Sequence, residues 1–226
     1  MEKITRSLPL HTQVYYQIKN MILNGELKSG DRVQEVKLSK VLNVSRSPVR
    51  EALRMLQNDE LIVSNNNGLI VNPLTYEDTI EVYECRILLE PYAAKLASQK
   101  ITIEELNDLE ACISNIIKES NRIDNYPLII KNNSKFHQII SQASRHKRII
   151  HHIKKNNALS ELARTNEFYL FNRGLEYMDE HIEIFNGLKL GDAARVEKAV
   201  KSHIENDLNF YNSQYNLLLE DEKQNL

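Results

Sequence analysis

The chain has 226 residues, with 29 Lys and Arg against 31 Asp and Glu and a formal net charge of −2 at pH 7. This length is enough for two cores, and no apolar run approaches the roughly 20 residues of a membrane-spanning helix. Met1–Leu10 lacks the apolar segment of a signal peptide, and Cys85 and Cys112 lack C-x-x-C spacing, so we expect reduced thiols in a cytoplasmic protein.

The charges are unevenly distributed about Pro73. Residues 1–72 hold 10 Lys and Arg against 7 Asp and Glu, a net charge of +3, whereas residues 73–226 hold 19 against 24, a net charge of −5. A positive first part attracts the phosphate backbone of DNA, but an excess of three charges is a weak signal alone. We therefore expect DNA binding to need two copies of the first part.

Two short helices are predicted at the start. Thr12–Leu23 has apolar residues at helical spacing and is followed by Gly25 as a stop, and Gln34–Leu42 is a short amphipathic helix closed by Asn43. A further helix follows the second one after a brief turn. The pair therefore predicts a helix-turn-helix.

The third predicted helix begins near Arg46. Ser45 or Ser47 can cap it, and Pro48 falls in the first turn, where a missing backbone N–H does no harm. Its apolar residues recur at i, i+3, i+4 and i+7 and must face a core: Val49, Ala52, Leu53 and Leu56.

Arg46, Arg50 and Arg54 share a different face of this helix. Guanidinium groups at four-residue spacing suit the acceptor edge of guanine or the phosphates of the major groove, and a helix N-terminus also favours phosphate. In the alternative interpretation this face is solvated, and the arginines pair with Glu51 or other nearby acids. The helix-turn-helix context favours DNA reading.

A β-hairpin is predicted next. Leu61–Ser64 and Leu69–Asn72 flank an asparagine-rich stretch with Asn67-Gly68 in the turn. Three helices and a hairpin describe a winged helix, whose wing tip can lie along the DNA backbone or in the minor groove. The alternative is a plain structural ribbon.

The rest of the chain is predicted to be all-α. Residues 1–72 form the first domain, 73–75 the linker and 76–226 a bundle of six or seven helices, so the fold class is mainly α. The predicted helices are Tyr76–Ser98, Ile103–Asn121, Pro127–Ala143, Lys147–Phe171, Leu175–Lys189 and Asp192–Leu219.

The run V-S-R-S-P-V-R-E-A-L at 44–53, with this order of elements, resembles the GntR superfamily of bacterial transcription regulators. The resemblance implies DNA contacts from five residues: Arg32, Arg46, Ser47, Arg50 and Gly68. The chain departs from the family at Glu60, where relatives usually carry glycine, and in its wing, where many carry arginine or histidine. The second departure argues against strong wing contacts.

The second domain resembles the FCD ligand-binding domain of the FadR-like branch of this superfamily. The similarity lies in Y-E-C-R-I-L-L-E-P-Y-A-A-K-L-A at 83–97, N-N-S-K-F-H-Q-I-I-S-Q-A-S at 132–144, D-E-H-I-E-I-F at 179–185 and G-D-A-A-R-V-E-K-A-V-K-S-H-I at 191–204. Metal-binding members of the family use an Asp and three His at the places that hold Asn133, His137, His181 and His203 here.

The residues themselves also support a pocket. Asn133 and His137 are four apart on one helical face, and His181 and His203 lie on two separate later helices. Three converging imidazoles can hold Zn²⁺ or a related divalent ion and leave positions open for a carboxylate. A neutral Asn133 weakens the attraction for metal and favours an anionic effector. In the alternative, each histidine makes an ordinary hydrogen bond between helices.

Arg86 is the other candidate for effector binding. A guanidinium that faces the interior of a bundle needs an anion, which either Glu90 at i+4 or a bound carboxylate can supply. The resemblance implies a role in the pocket. Four further residues are candidates for its lining: Tyr83, Arg164, Asn166 and Tyr169.

These features predict a homodimeric, ligand-responsive repressor or dual regulator. The winged helix would read an inverted repeat in double-stranded DNA, and the second domain would sense a small carboxylate metabolite. Two other functions fit less well. A metal-dependent hydrolase-like enzyme would activate water at the histidines, but no carboxylate stands at a fixed motif offset as its base. An architectural DNA-binding protein would need no effector.

Overall fold

The structure is a computed structural model that describes the backbone of residues 8–120, 126–170 and 177–224 and the side chains of residues 8–119, 128–165 and 177–218. The chain divides into two compact units, Met1–Leu74 and Thr75–Leu226. None of the described helices is both long enough and apolar enough to cross a lipid bilayer.

The first unit is a winged helix-turn-helix, as predicted. Its elements are α1 (Leu10–Leu23), α2 (Glu35–Val41), α3 (Arg46–Asn58), β1 (Ile62–Asn65) and β2 (Gly68–Val71). Helix α3 packs on α1, and the period of its apolar residues predicts which side chains are buried: Val49, Ala52 and Leu56 are all fully buried. This packing leaves the arginine-bearing face of α3 outward.

Helix α3 starts after one of the two predicted N-cap residues. Ser45 is the N-cap residue and has extended backbone, but its hydroxyl makes no capping hydrogen bond, and Ser47 lies inside the helix. The predicted cap position is therefore confirmed, but not its side-chain hydrogen bond. Packing of the apolar stripe and the preset φ of Pro48 define the helix start without it.

The hairpin is present, and its turn lies within the predicted residues 65–68. Ile62 pairs with Val71 and Asn65 with Gly68, so the strands extend one residue further toward the turn than predicted, and residues 66 and 67 connect them. The side chain of Asn65 accepts a hydrogen bond of 2.9 Å from the N–H of Asn67, which closes the turn locally.

A third short extended segment joins the hairpin. Arg32 forms an isolated antiparallel bridge with Ile70, and the N–H of Val33 donates to the carbonyl of Leu69 at 2.8 Å. The segment before α2 is thereby tied to β2 of the wing. This connection places Arg32 on the wing rather than on the helix-turn-helix.

The described part of the second unit is all-α, as predicted. Its helices are α4 (Tyr76–Ala97), α5 (Ile103–Ser120), α6 (Tyr126–Ala143), α7 (Lys147–Leu170), α8 (Met178–Leu190) and α9 (Ala193–Gln224). Most bounds lie within one or two residues of the predictions, and α9 extends five residues further than predicted. The predicted ends at Asn121 and Phe171 and the predicted start at Leu175 lie outside the described residues.

Helix α4 is the centre of the second unit. A capping box starts it, because Thr75 Oγ1 accepts from the N–H of Asp78 at 3.1 Å and the Asp78 carboxylate accepts from the N–H of Thr75 at 2.9 Å. The helix packs against α6, α7 and α9 and is buried on several sides. Two of its buried residues, Arg86 and Glu90, are charged, which makes its interior a candidate site.

Candidate functional site

The outward face of α3 carries the residues predicted to contact DNA. Arg46, Ser47, Arg50 and Arg54 are all exposed, so no guanidinium of this helix is taken up by the core. Arg50 makes a bidentate ion pair with Glu35 of α2, with Nε to Oε2 at 3.0 Å and Nη2 to Oε1 at 2.9 Å. This hydrogen-bonded pair lowers the pKa of Glu35 and raises that of Arg50.

The ion pair of Arg50 and Glu35 agrees in part with the alternative interpretation, in which the arginines of α3 pair with nearby acids. An acid is indeed paired with Arg50, but it is Glu35 from the preceding helix rather than Glu51, which lies 3.3 Å from His11 Nδ1. Because the pair is solvent-exposed, it costs little to exchange for a phosphate or a guanine edge. The pair links the first residue of α2 to the second turn of α3.

Arg32 and Gly68 lie together on the wing. A Cβ on Gly68 would be 3.9 Å from both Nε and Nη2 of Arg32, so the guanidinium lies over the glycine. Gly68 has a φ of +114°, a backbone conformation in which side chains are strained. Arg32 therefore supplies a cation at the tip of a wing whose own turn residues are neutral.

The three predicted histidines meet inside the second unit. His137 of α6, His181 of α8 and His203 of α9 are all buried, and one nitrogen from each lies within 4.8 Å of the others. The Nε2 atoms of His137 and His203 are 3.3 Å apart. The structure thus brings together side chains that are 44 and 22 residues apart in the sequence.

Two carboxylates determine which nitrogen each of these rings presents. Glu90 Oε2 is 3.0 Å from His137 Nδ1, and Glu180 Oε2 is 2.7 Å from His203 Nδ1. In the tautomer in which Nδ1–H donates to each carboxylate, the two Nε2 atoms face each other with their lone pairs. Either a proton on one Nε2 or a cation bound between the two atoms removes the repulsion.

This donor set fits a divalent ion. Two nitrogens that bind one tetrahedral Zn²⁺ at about 2.0–2.1 Å are separated by about 3.3 Å, which matches the Nε2 to Nε2 distance of 3.3 Å. Burial, opposed by Glu90, lowers the pKa of His137 to about 4, so the ring is in its neutral, metal-binding form near pH 7.

Asn133 lies one turn before His137 on α6. Its side chain is 4% exposed, and its Oδ1 has no hydrogen-bond partner among the described residues. A buried carbonyl oxygen without a partner is costly, because water no longer solvates it. The amide oxygen is therefore available as a neutral ligand, as the sequence interpretation allows.

Arg86 and Glu90 form a buried ion pair. Arg86 Nε donates to Glu90 Oε1 at 2.8 Å, and the guanidinium also lies over the ring of Tyr83 at 4.7 Å. Although burial opposes both charged forms, this pairing raises the pKa of Arg86 and keeps the pKa of Glu90 far below its usual range. Both Nη atoms of Arg86 lack a hydrogen-bond partner among the described residues.

A second buried arginine lies in the same region. Arg164 of α7 is 4% exposed, and its Nη2 donates to Ser134 Oγ at 3.3 Å. Burial, reinforced by the nearby charge of Arg86, lowers the pKa of Arg164. Glu90, Asp207 and Glu161 supply negative charge near these two guanidiniums, and Glu90 also pairs with His137. A bound anion would therefore satisfy the N–H groups of Arg86 and Arg164 that lack a hydrogen-bond partner among the described residues.

Two narrow clefts border these residues. The first has a cavity volume of about 10 Å³ and is lined by Glu90, His137 and Ile153 with four other residues. The second has a cavity volume of about 0 Å³ and is lined by Arg86, Glu90 and Asn156 with four others. Both are smaller than the roughly 300 Å³ at which small-molecule pockets usually begin. An organic acid would therefore have to widen them.

Sequence reasoning missed two acids at this site. Glu180, which orients His203, directly precedes His181 in the chain, and Asp207 lies at i+4 from His203 with its Oδ2 3.5 Å from His203 Nε2. The i+4 spacing was a signal that could have identified Asp207. The side chains of Asn166 and Tyr169, two predicted lining residues, lie outside the described part of the chain.

Two family models match the chain. The model described as bacterial regulatory proteins, gntR family, matches residues 10–69, and the FCD domain model matches residues 81–206. The first range contains α3, β1 and the turn of the wing, and ends within β2. The second contains Arg86, Asn133 and all three clustered histidines.

Full-length relatives and solved structures agree with these matches. The uncharacterized HTH-type transcriptional regulator YdhC of Bacillus subtilis (strain 168) is 32% identical over 206 residues, covering 91% of this chain and 92% of YdhC. LutR, an HTH-type transcriptional regulator of the same organism, is 30% identical over 210 residues, 82% of this chain and 94% of LutR. The structure of E. coli McbR/YncC has the same fold, with a TM-score of 0.81, 22% identity and coverage of 92% of this chain and all of that one.

Proposed function

Because the chain belongs to the GntR family of bacterial DNA-binding transcription regulators and carries an FCD domain, we propose that it is a repressor whose second unit senses a small organic acid. The observation that carries this proposal is Arg86, whose guanidinium is 2% exposed and whose two Nη atoms have no hydrogen-bond partner among the described residues. A buried cation in that state calls for an anionic ligand.

The first unit is proposed as the DNA-reading domain of a cytoplasmic homodimer. Arg46, Ser47 and Arg50 on the exposed face of α3 would contact bases and phosphates in the major groove. Arg32 over Gly68 would contact the phosphate backbone from the wing. Two such units, related by two-fold symmetry, match an operator that is an inverted repeat.

The effector is proposed to be a small carboxylate. Its two oxygens match the two unpartnered Nη atoms of Arg86, since a guanidinium and a carboxylate form parallel hydrogen bonds. Arg164 adds a second buried cation in the same region. Hydrogen bonds to charged groups contribute about 1.5–3 kcal/mol each when buried, which is enough to select carboxylates over neutral molecules.

A divalent ion, proposed as Zn²⁺, would be held by His137, His181 and His203 with Asn133 as a neutral neighbour. When bound, the ion supplies a Lewis-acidic position to which an oxygen of the effector can bind. Glu90 and Glu180 orient two of the rings from behind, as outer-shell carboxylates do at histidine metal sites.

Effector binding is proposed to alter DNA affinity through the helices that line the clefts. Because the clefts are smaller than a usual ligand pocket, entry of an organic acid must displace side chains of α4, α6 or α7. A ligand that favours one arrangement of these helices shifts the population toward that arrangement. Coupling of about 1–3 kcal/mol would change operator affinity by roughly five- to 150-fold.

A carboxylate screen tests the effector proposal. Thermal unfolding of the zinc-loaded chain is measured with a set of mono-, di- and tricarboxylates, and hits are added to gel-shift titrations with DNA upstream of the chain's own gene. A true effector raises the unfolding midpoint of the wild type and changes its operator affinity. Arg86→Lys removes both effects, because an ammonium group cannot make the two parallel hydrogen bonds to a carboxylate.

The matched control is Arg195→Lys, which alters another ion-paired arginine of the second unit, bound to Glu183 at 2.7 Å on the surface. It should respond to carboxylates as the wild type does. If no carboxylate shifts the wild-type midpoint, or if Arg86→Lys responds normally, the carboxylate-sensing proposal fails. An architectural role without effector would then remain, whereas an enzymatic role is excluded because the family consists of transcription regulators.

A further inference from the structure

Asp207 lies one turn after His203 on α9, beside the histidine cluster. Its Oδ2 is 3.5 Å from His203 Nε2, and its side chain is 12% exposed. That same nitrogen lies 3.3 Å from His137 Nε2. Asp207 belongs with Glu180 and His203 to a second group of possible metal ligands, whose ligand atoms lie within 4.8 Å of one another and which shares His203 with the three histidines.

The charge of the site favours such a carboxylate. The three imidazoles would hold a buried dication without a negatively charged ligand, and a buried charge without a counter-charge is costly. The two other acids at the cluster are engaged elsewhere. Glu90 binds Arg86 and His137 Nδ1, while the two oxygens of Glu180 accept from His203 Nδ1 and from Asn206 at 2.8 Å.

We propose that Asp207 is the anionic ligand of the divalent ion at this cluster, in the role that the neutral Asn133 cannot fill. A nitrogen and an oxygen bound to one tetrahedral ion at about 2.0–2.2 Å are separated by about 3.4 Å, close to the 3.5 Å between His203 Nε2 and Asp207 Oδ2. The inference rests on the proposed function only in requiring that the cluster binds an ion.

One other role for Asp207 must be distinguished. Its charge also helps to hold the pKa of Arg86 above the usual range, so the carboxylate could serve only to neutralise that buried guanidinium. In that case, loss of the charge would destabilise the metal-free chain and leave metal affinity unchanged. A ligand role predicts that metal affinity falls.

The experiment measures the zinc affinity of the full chain by competition with a fluorescent chelator, after the metal has been stripped. Asp207→Asn should weaken zinc binding at least about tenfold, since even the loss of an outer-shell partner costs 10–100-fold. Asn133→Asp in the Asp207→Asn background should restore most of the affinity, because it returns one carboxylate to the cluster. Cobalt absorption bands should change in Asp207→Asn, since a ligand of the ion is altered.

Glu205→Gln is the matched control, because it removes the same charge from the same helix at an exposed residue that lies 3.6 Å from Lys201. It should bind zinc as the wild type does. If Asp207→Asn binds zinc normally while His137→Ala does not, Asp207 is not a ligand and the ion site stands. If the wild type binds zinc no better than His137→Ala, the ion site and this inference both fail. Unfolding in excess chelator shows which variants are folded.

Discussion

At the residue scale, the two sets of arginines differ in their access to water. Those of α3 are exposed and make at most solvent-accessible ion pairs, which a phosphate can replace. Arg86 and Arg164 are buried, where an uncompensated guanidinium is unfavourable. The same side chain therefore suits DNA binding in the first unit and anion binding in the second.

Arg50→Ala should weaken binding to the specific operator roughly tenfold to a hundredfold if the guanidinium reads a base. The measurement is fluorescence anisotropy on operator DNA and on random DNA of equal length at one salt concentration. Arg145→Ala is the control, because Arg145 is also exposed and paired with a carboxylate, Glu105, at 2.8 Å, but lies in the second unit. An equal loss on both DNAs would assign Arg50 to a phosphate instead.

Glu60 occupies a backbone conformation that favours glycine. Its φ is +57°, where an L-residue costs roughly 1–2 kcal/mol. This strain explains why glycine suits the position. Glu60→Gly should stabilise the first unit by up to about 1 kcal/mol, because glycine loses 0.5–1 kcal/mol more chain entropy on folding. Urea unfolding measures the gain, and Glu60→Ala, which keeps a Cβ, should show none.

At the element scale, local signals predict the positions of helices and turns but not the side-chain hydrogen bonds at their ends. The apolar period of α3 predicts its buried face, but the hydroxyl of Ser45 does not cap it. The wing turns within residues 65–68 as predicted, but Asn65 and Gly68 pair as strand residues and the Asn65 side chain closes the turn between them. Several nearby asparagines can each form such a turn, and the sequence pattern does not rank them.

Helix α4 offers a test of a cap that both sequence and structure support. Thr75→Ala removes the acceptor of the capping box and should lower the stability of the second unit by about 0.5–2 kcal/mol. The midpoint of urea unfolding, followed by circular dichroism, measures the loss. Thr75→Ser keeps the hydroxyl and should stay near the wild type, and an equal loss in both variants would show that the cap is not the cause.

At the scale of the whole molecule, metal binding is expected to be linked to folding. An ion that binds only the folded chain stabilises it, by about 2.7 kcal/mol at a hundredfold excess over the dissociation constant. Removal of metal with a chelator should therefore lower the thermal midpoint, and added Zn²⁺ should restore it. His181→Ala should abolish the difference between the two conditions. If neither chelator nor zinc changes the thermal midpoint of the wild type, the proposal that an ion binds at the cluster is contradicted.

How far the sequence predicts the site depends on the distance along the chain between the partners. His137, His181 and His203 could be named from helical spacing and family resemblance. The carboxylates that pair with these histidines could not be identified in the same way, because Glu90 lies 47 residues before His137 and Glu180 lies 23 residues before His203. Likewise, the pairing of Arg50 with Glu35 joins residues 15 apart on two helices.

The sequence by itself determined the order of elements, the winged helix-turn-helix, the all-α second unit and the buried face of α3, whereas on α2 the apolar residues Val36 and Val41 are exposed. These features follow from the spacing of apolar residues and from turn residues, and both are local signals that span only a few positions of the sequence. Only the tertiary structure decided which charges meet in the interior of the second unit: the Arg86 and Glu90 pair beside His137, and Asp207 beside the two facing Nε2 atoms. Such contacts depend on how helices pack, and packing sets distances that no local pattern contains.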